Sequence, residues 1–127
     1  MKSLKSPSRI ASFRYAFQGL FYLIRSQPNA KIHAGMTILV LIAGFLLKIE
    51  RTDWLWINFA ISIVWISETF NTAIEETIDL VSPEYHPLAG KAKDLGAAAT
   101  LLAAIFAVIT GILVFLPRLH PFLSKIV

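Results

Sequence analysis

Glu68, Asn71, Glu75 and Asp79 recur at i, i+3, i+7 and i+11 in a stretch that is otherwise apolar on its N-terminal side. At about 100° per residue that spacing puts all four on one face of an α-helix. Glu68 follows 14 residues without Asp, Glu, Lys or Arg (54 to 67). A carboxylate so placed must be paired, protonated or bound to a metal, and no basic residue lies on the same segment to pair with it. Three kinds of chemistry are open to such a stripe: a hydrated binding pocket, a proton or cation pathway, or hydrogen bonds that merely join helices. Glu76 lies off the stripe and reads as a solvated or packing residue.

A second cluster follows at once. Ser82 to Asp94 contains Glu84, Tyr85, His86, Lys91, Lys93 and Asp94. Its basic groups suit phosphate, and its acids suit a metal or a ribose hydroxyl. The chain has no Gly-rich lysine loop of the Walker type and no protein-kinase catalytic-loop motif. Any phosphate chemistry must therefore use another scaffold.

The elements that carry these residues belong in a bilayer. Of 127 residues, 56% are hydrophobic and 16% charged, whereas a soluble domain carries about 25% charge. Uncharged intervals of 16 residues (32 to 47) and 23 residues (95 to 117) flank the interval ahead of Glu68. About 20 residues cross the hydrocarbon. Spans are expected at about 31–49, 53–81 and 92–117, with a loop over 82–91. The middle span reaches full length only by continuing through the polar stripe, and no Pro or Gly interrupts it from Asp53 to Ser82. Ahead of them, Ile10, Phe13, Phe17, Leu20, Phe21 and Ile24 recur every three or four residues among Arg9, Arg14 and Arg25. That is the pattern of an amphipathic surface helix, over about 7–26. The expected architecture is all-α: one membrane domain over 1–127, with a surface helix and three transmembrane helices.

Six of the twelve Lys and Arg residues precede residue 32, among them Lys2, Lys5 and Lys31. The N-terminus and the stripe are therefore expected to be cytoplasmic. With twelve basic and eight acidic residues, the balance suits an anionic lipid or nucleotide, and no nucleic-acid partner is expected. Without cysteine there is no disulfide, thiolate site or thiol nucleophile.

Glu68-Thr69-Phe70-Asn71-Thr72-Ala73-Ile74-Glu75-Glu76-Thr77-Ile78-Asp79 resembles the E-x-x-N-[ST]-A-I-E-x-x-[VI]-D signature of the small prokaryotic diacylglycerol kinases. The continuation from Ser82 to Asp94 is similar to the same family's S-x-E-Y-H-x-L-[AS]-x-x-A-K-D. Phe17 to Leu20 and Asn29 to His33 resemble the undecaprenol-kinase branch.

The resemblance implies a homotrimer in the bacterial inner membrane, with active sites shared between subunits at the cytoplasmic boundary. It implies transfer of the ATP γ-phosphoryl group, with Mg2+, to the hydroxyl of a membrane lipid, diacylglycerol or undecaprenol. By matched position, Glu68 is implied as general base, Asn71 as the group that orients that carboxylate or the substrate, and Glu75 as metal ligand with Gln27. Asp79 is implied as support at the cytoplasmic end. Tyr15, Gln27, Glu75, Glu84, Tyr85, His86, Lys93 and Asp94 match nucleotide-binding or cofactor-binding positions, Lys93 facing phosphate charge.

Three departures stand out. Gln27 replaces a glutamate common in relatives and removes one charge from the metal site. Ala97 stands where some diacylglycerol kinases have serine, and the third span lacks their tryptophans. Two other readings stay in view. A cation conduit needs polar groups deeper in the helix, where only Ser62 and Asn58 occur. A noncatalytic membrane subunit leaves the paired motifs without a role.

Overall fold

The computed structural model describes residues 8–124, and within them the side chains of Phe122 and Leu123 are left aside. Lys2, Lys5, Lys125 and the expected surface-helix start at Pro7 lie outside the described residues. Four helices follow one another: α1 Arg9–Ser26, α2 Pro28–Leu46, α3 Arg51–Val81 and α4 Pro87–Leu123. There is no strand among the described residues.

Local chemistry sets the breaks. Ser8 caps α1, its Oγ accepting from the Ala11 N–H at 3.3 Å. Gln27 ends that helix in an extended conformation (φ −104°, ψ 120°), as a residue before proline prefers. Pro28 then opens α2 at a position where its missing N–H costs nothing. α2 closes on a left-handed residue, Lys48 at φ 48°, a conformation glycine adopts more readily. At the start of α3 the Glu50 N–H donates to Asp53 Oδ2 at 3.1 Å. α3 stops at Ser82, ahead of Pro83. Pro87 opens α4, so the connection is confined to residues 82–86 and the helix carrying the third expected span begins before Leu88.

Two helices among the described residues are long and apolar enough to cross a membrane: Pro28–Leu46 and, within α4, Pro87–Pro121. α3 has 31 residues. It is apolar as far as Ser67 and polar beyond.

α3 and α4 pack along much of their length, whereas α2 touches α3 only locally and α1 rests on α2. Beside the α2–α3 turn, Trp54 fills the space where Gly44 has no side chain; a Cβ there would lie 2.6 Å from the ring. Phe45 stacks on Trp54 with ring centres 4.9 Å apart. Ile49, Ile57 and Val114 form a small core, flanked by Trp54, Ile61 and Phe115. Arg118 of α4 is ion-paired with Asp53 of α3. Phe13, Phe17 and Phe21 of α1 are exposed, as are Leu101, Leu102, Val108 and Leu113 of α4. So large an apolar surface around so small a core belongs in lipid or against other chains.

Candidate functional site

The opposite end of the α3–α4 pair carries the polar stripe. Glu68 is the largest fully buried side chain, 2% exposed. Asn71 is buried one turn on, and its Nδ2 donates to Glu75 Oε1 at 3.1 Å. Glu75 is half-buried, and Asp79 is exposed. The stripe thus runs from a dry end at Glu68 to a wet end at Asp79.

α4 can approach Asn71 because residue 96 is glycine. A Cβ on Gly96 would stand 2.4 Å from Asn71 Oδ1. Further along α4, Lys93 is ion-paired with Asp79. The cation expected for phosphate therefore already sits on the stripe. Both partners are substantially exposed, so the pair contributes little to stability and can open to another anion.

α2 delivers a group that motif spacing left unassigned. His33 Nε2 lies 3.6 Å from Glu68 Oε2. Neither atom has a hydrogen-bond partner among the described residues. Its sequence signal was an imidazole near the start of an apolar helix, visible only as part of the Asn29 to His33 resemblance. One turn later, Trp65 Nε1 donates to Thr37 Oγ1 at 3.1 Å and joins α3 to α2. From His33 an apolar groove of about 790 Å3 runs between α2 and the α3–α4 pair, past Val64, Ala60 and Ala104 toward Phe115.

α1 reaches α3 through Tyr22, whose hydroxyl donates to Glu76 Oε1 at 2.6 Å. That hydrogen bond, with the Glu76 charge behind it, holds the Tyr22 phenol above its ordinary range. Glu76 is exposed but serves as the anchor of the surface helix.

The remaining expected residues are dispersed. Gln27 sits half-buried at the α1–α2 junction. Tyr15 is exposed on α1, with the Arg14 guanidinium 5.4 Å from its ring centre. Glu84, Tyr85 and His86 line an open depression of about 350 Å3 on the 82–86 connection. His86 Nδ1 accepts from the Leu88 N–H at 3.2 Å, which turns the chain into α4. Asp94 is exposed. The fold therefore gathers Glu68, Asn71, Glu75, Asp79 and Lys93 along the α3–α4 pair, and adds His33 to them. It leaves Tyr15, Gln27, Asp94 and the 82–86 connection without a side-chain hydrogen bond to that group among the described residues.

The residues expected to hold a metal, Glu75 and Gln27, are both half-buried. No group of three or more His, Cys, Asp or Glu side chains clusters for a metal among the described residues. Hard oxygen donors in that small number suit Mg2+, which is usually bound through one or two carboxylates together with substrate phosphates.

Two helices long and apolar enough to cross a membrane and a polar stripe that buries Glu68 fit a membrane protein whose stripe is catalytic, conducting or a join between helices. Comparison with known proteins decides between them. The prokaryotic diacylglycerol kinase family model matches residues 14–115. Undecaprenol kinase of Bacillus subtilis is 40% identical over 108 residues, covering 85% of this chain and 88% of that protein. Diacylglycerol kinase of a Synechocystis species is 42% identical over 115 residues, covering 90% of this chain and 66% of that protein. Diacylglycerol kinase of Escherichia coli is 32% identical over 96 residues, covering 76% of this chain and 79% of that protein. The chain belongs to the prokaryotic diacylglycerol kinase family and is a lipid kinase.

Proposed function

We propose that this chain transfers the γ-phosphoryl group of ATP to the hydroxyl of diacylglycerol or undecaprenol at the cytoplasmic face of the bacterial inner membrane. One observation carries the reading: Glu68, buried and without a hydrogen bond to its Oε2, faces His33 at the edge of an apolar groove and begins a stripe leading to charged residues. A lipid substrate needs that juxtaposition, because its tail stays in hydrocarbon while its hydroxyl meets a water-soluble anion.

On this reading Glu68 accepts the hydroxyl proton as the lipid oxygen bonds to the γ-phosphorus and ADP leaves. Asn71, bonded to Glu75, keeps that part of the stripe in register with the base. Glu75, with the Gln27 amide oxygen, would hold Mg2+, which would neutralise charge on the transferring phosphates. Lys93 exchanges Asp79 for phosphate. Tyr15, Glu84, Tyr85, His86 and Asp94 contact the nucleotide.

The same reading makes α3 the second of three spans and α1 an interfacial helix. It also makes the active unit a homotrimer. The sparse core and the exposed apolar flanks of α2 and α4 support assembly. So does the distance in sequence and space between the nucleotide-binding positions and the stripe, since a neighbouring subunit can supply what one protomer leaves apart.

The test is transfer from labelled ATP in mixed micelles, with diacylglycerol and undecaprenol offered in parallel, with and without Mg2+. Product with one lipid, lost on chelation, is the expected result and names the substrate. A trimer that binds nucleotide and phosphorylates neither lipid overturns the reading.

A further inference from the structure

The contact between His33 and Glu68 has no part in the mechanism above. Both facing atoms are buried, both lack a partner among the described residues, and they are 3.6 Å apart. That is longer than a hydrogen bond. Catalytic hydrogen bonds are commonly long without substrate and tighten in the reacting complex. Among the described residues an imidazole Nε2 faces that carboxylate oxygen with no lysine or arginine paired to it, and a carboxylate accepts more strongly than a neutral oxygen.

We propose that His33 is the positioning residue for Glu68: its Nε2–H is donated to Oε2 and holds Oε1 toward the lipid hydroxyl. The inference rests on the lipid-kinase reading and extends it to a residue on a different helix. The surroundings leave His33 without competition. On α3 the neighbouring ionisable group of the stripe, Glu75, is occupied by Asn71. α4 carries no charge between Asp94 and Arg118 and brings Gly96 to this level. Tyr22 of α1 is engaged with Glu76, and Lys31 of α2 is exposed. No lysine or arginine pairs with Glu68 among the described residues.

The arrangement also couples catalysis to the lipid groove. His33 lines the groove that begins at this point, so a tail seated there presses on the residue that aims the base. α2 is only loosely attached to α3 elsewhere, through contacts such as Thr37 to Trp65. The imidazole contact is therefore sensitive to how α2 sits.

Kinetics of the full-length wild type, His33→Ala and His33→Gln in mixed micelles test this, with kcat and KM for ATP measured separately. His33→Ala is expected to lower kcat roughly tenfold or more, within the range of a general-base contribution, with KM for ATP nearly unchanged. His33→Gln, with an amide N–H in place of Nε2–H, should recover much of the rate. A His33→Ala enzyme with wild-type kcat overturns the proposal. So does a loss that follows a lowered melting temperature and is not rescued by Gln.

Histidine NMR supplies a readout independent of turnover. The chemical shifts of the His33 ring nitrogens, measured at one pH, should move on Glu68→Gln, and unmoved shifts overturn the pairing. Absence of lipid phosphorylation by the wild type would instead remove the kinase reading. The NMR result then says separately whether the pair exists.

Discussion

Asp53 and Glu68 are carboxylates on the same helix, 15 residues apart in sequence, and their surroundings are opposite. Asp53 is ion-paired with Arg118 and accepts the Glu50 N–H. Arg118 in turn donates to the Val114 carbonyl at 2.8 Å. Every group there has a partner, and the result is a clamp between α3 and α4 beside the Ile49–Ile57–Val114 core. Glu68 is more deeply buried, yet its Oε2 faces only an imidazole beyond bonding distance. A buried polar group with no bond weakens the fold. The clamp end spends its polar groups on rigidity, and the stripe end leaves one unpaired among the described residues. Unsatisfied hydrogen-bonding capacity, rather than charge, separates the two.

Breaking each end in turn sharpens that contrast. The largest effect is expected from Glu68→Gln, which keeps the shape and removes the base. Phosphoryl transfer should fall by about 10^2- to 10^4-fold, the range for general-base catalysis. Thermal stability should be unchanged or raised, since a neutral amide replaces a buried carboxylate. Substantial residual transfer would take Glu68 out of the base role.

Gly96→Ala comes next. Its new Cβ would meet Asn71 Oδ1 at 2.4 Å, so Asn71 must turn and release Glu75. Overpacking of this kind costs about 1–3 kcal/mol of stability, and kcat should fall several-fold as Asn71 lets go of Glu75. An unaffected kcat would show that the Asn71–Glu75 bond has no catalytic part.

At the clamp, Arg118→Ala should leave kcat unaltered and lower the melting temperature. The pair is partly exposed, 24% and 21% for its two side chains. The expected loss is therefore about 1–2 kcal/mol, below that of a fully buried pair. A changed kcat with an unchanged melt would reverse the assignment of the two ends.

Tyr22→Phe should do least. It removes the hydroxyl bonded to exposed Glu76 and should speed amide exchange in α1 without altering kcat. The wild-type link is present at neutral pH, where the phenol is protonated. Because Glu76 raises the Tyr22 pKa, the link persists somewhat above the ordinary tyrosine range and is lost as pH rises further and the hydroxyl proton leaves. Alkaline loosening of α1 should therefore occur in the wild type and be missing from Tyr22→Phe. The same loosening in both would show that the hydroxyl does not tether the helix.

Much of this was legible before any fold was known. The i, i+3, i+7, i+11 spacing placed Glu68, Asn71, Glu75 and Asp79 on one face, because helical periodicity is local and no Pro or Gly interrupts α3. The amphipathic pattern located α1 for the same reason, and Pro28 marked a break through its own backbone chemistry, whereas α4 begins at Pro87 inside the stretch expected as a loop over 82–91. Family membership followed from two linked motifs. Contacts between helices were another matter. His33 beside Glu68, Tyr22 on Glu76, Arg118 on Asp53 and Lys93 on Asp79 join residues 14 to 65 positions apart in sequence. No spacing rule along one helix reaches across to another.

The sequence by itself therefore determined the helices and their apolar and polar faces, because those depend on residue type and a 3.6-residue period. Only the tertiary structure decided which polar groups are satisfied. Whether Glu68 meets an arginine, an imidazole or nothing depends on how α2 and α4 dock. That docking is governed by small residues at the contacts, above all Gly96 against Asn71 and Gly44 against Trp54, where the absence of a Cβ sets how closely two helices approach.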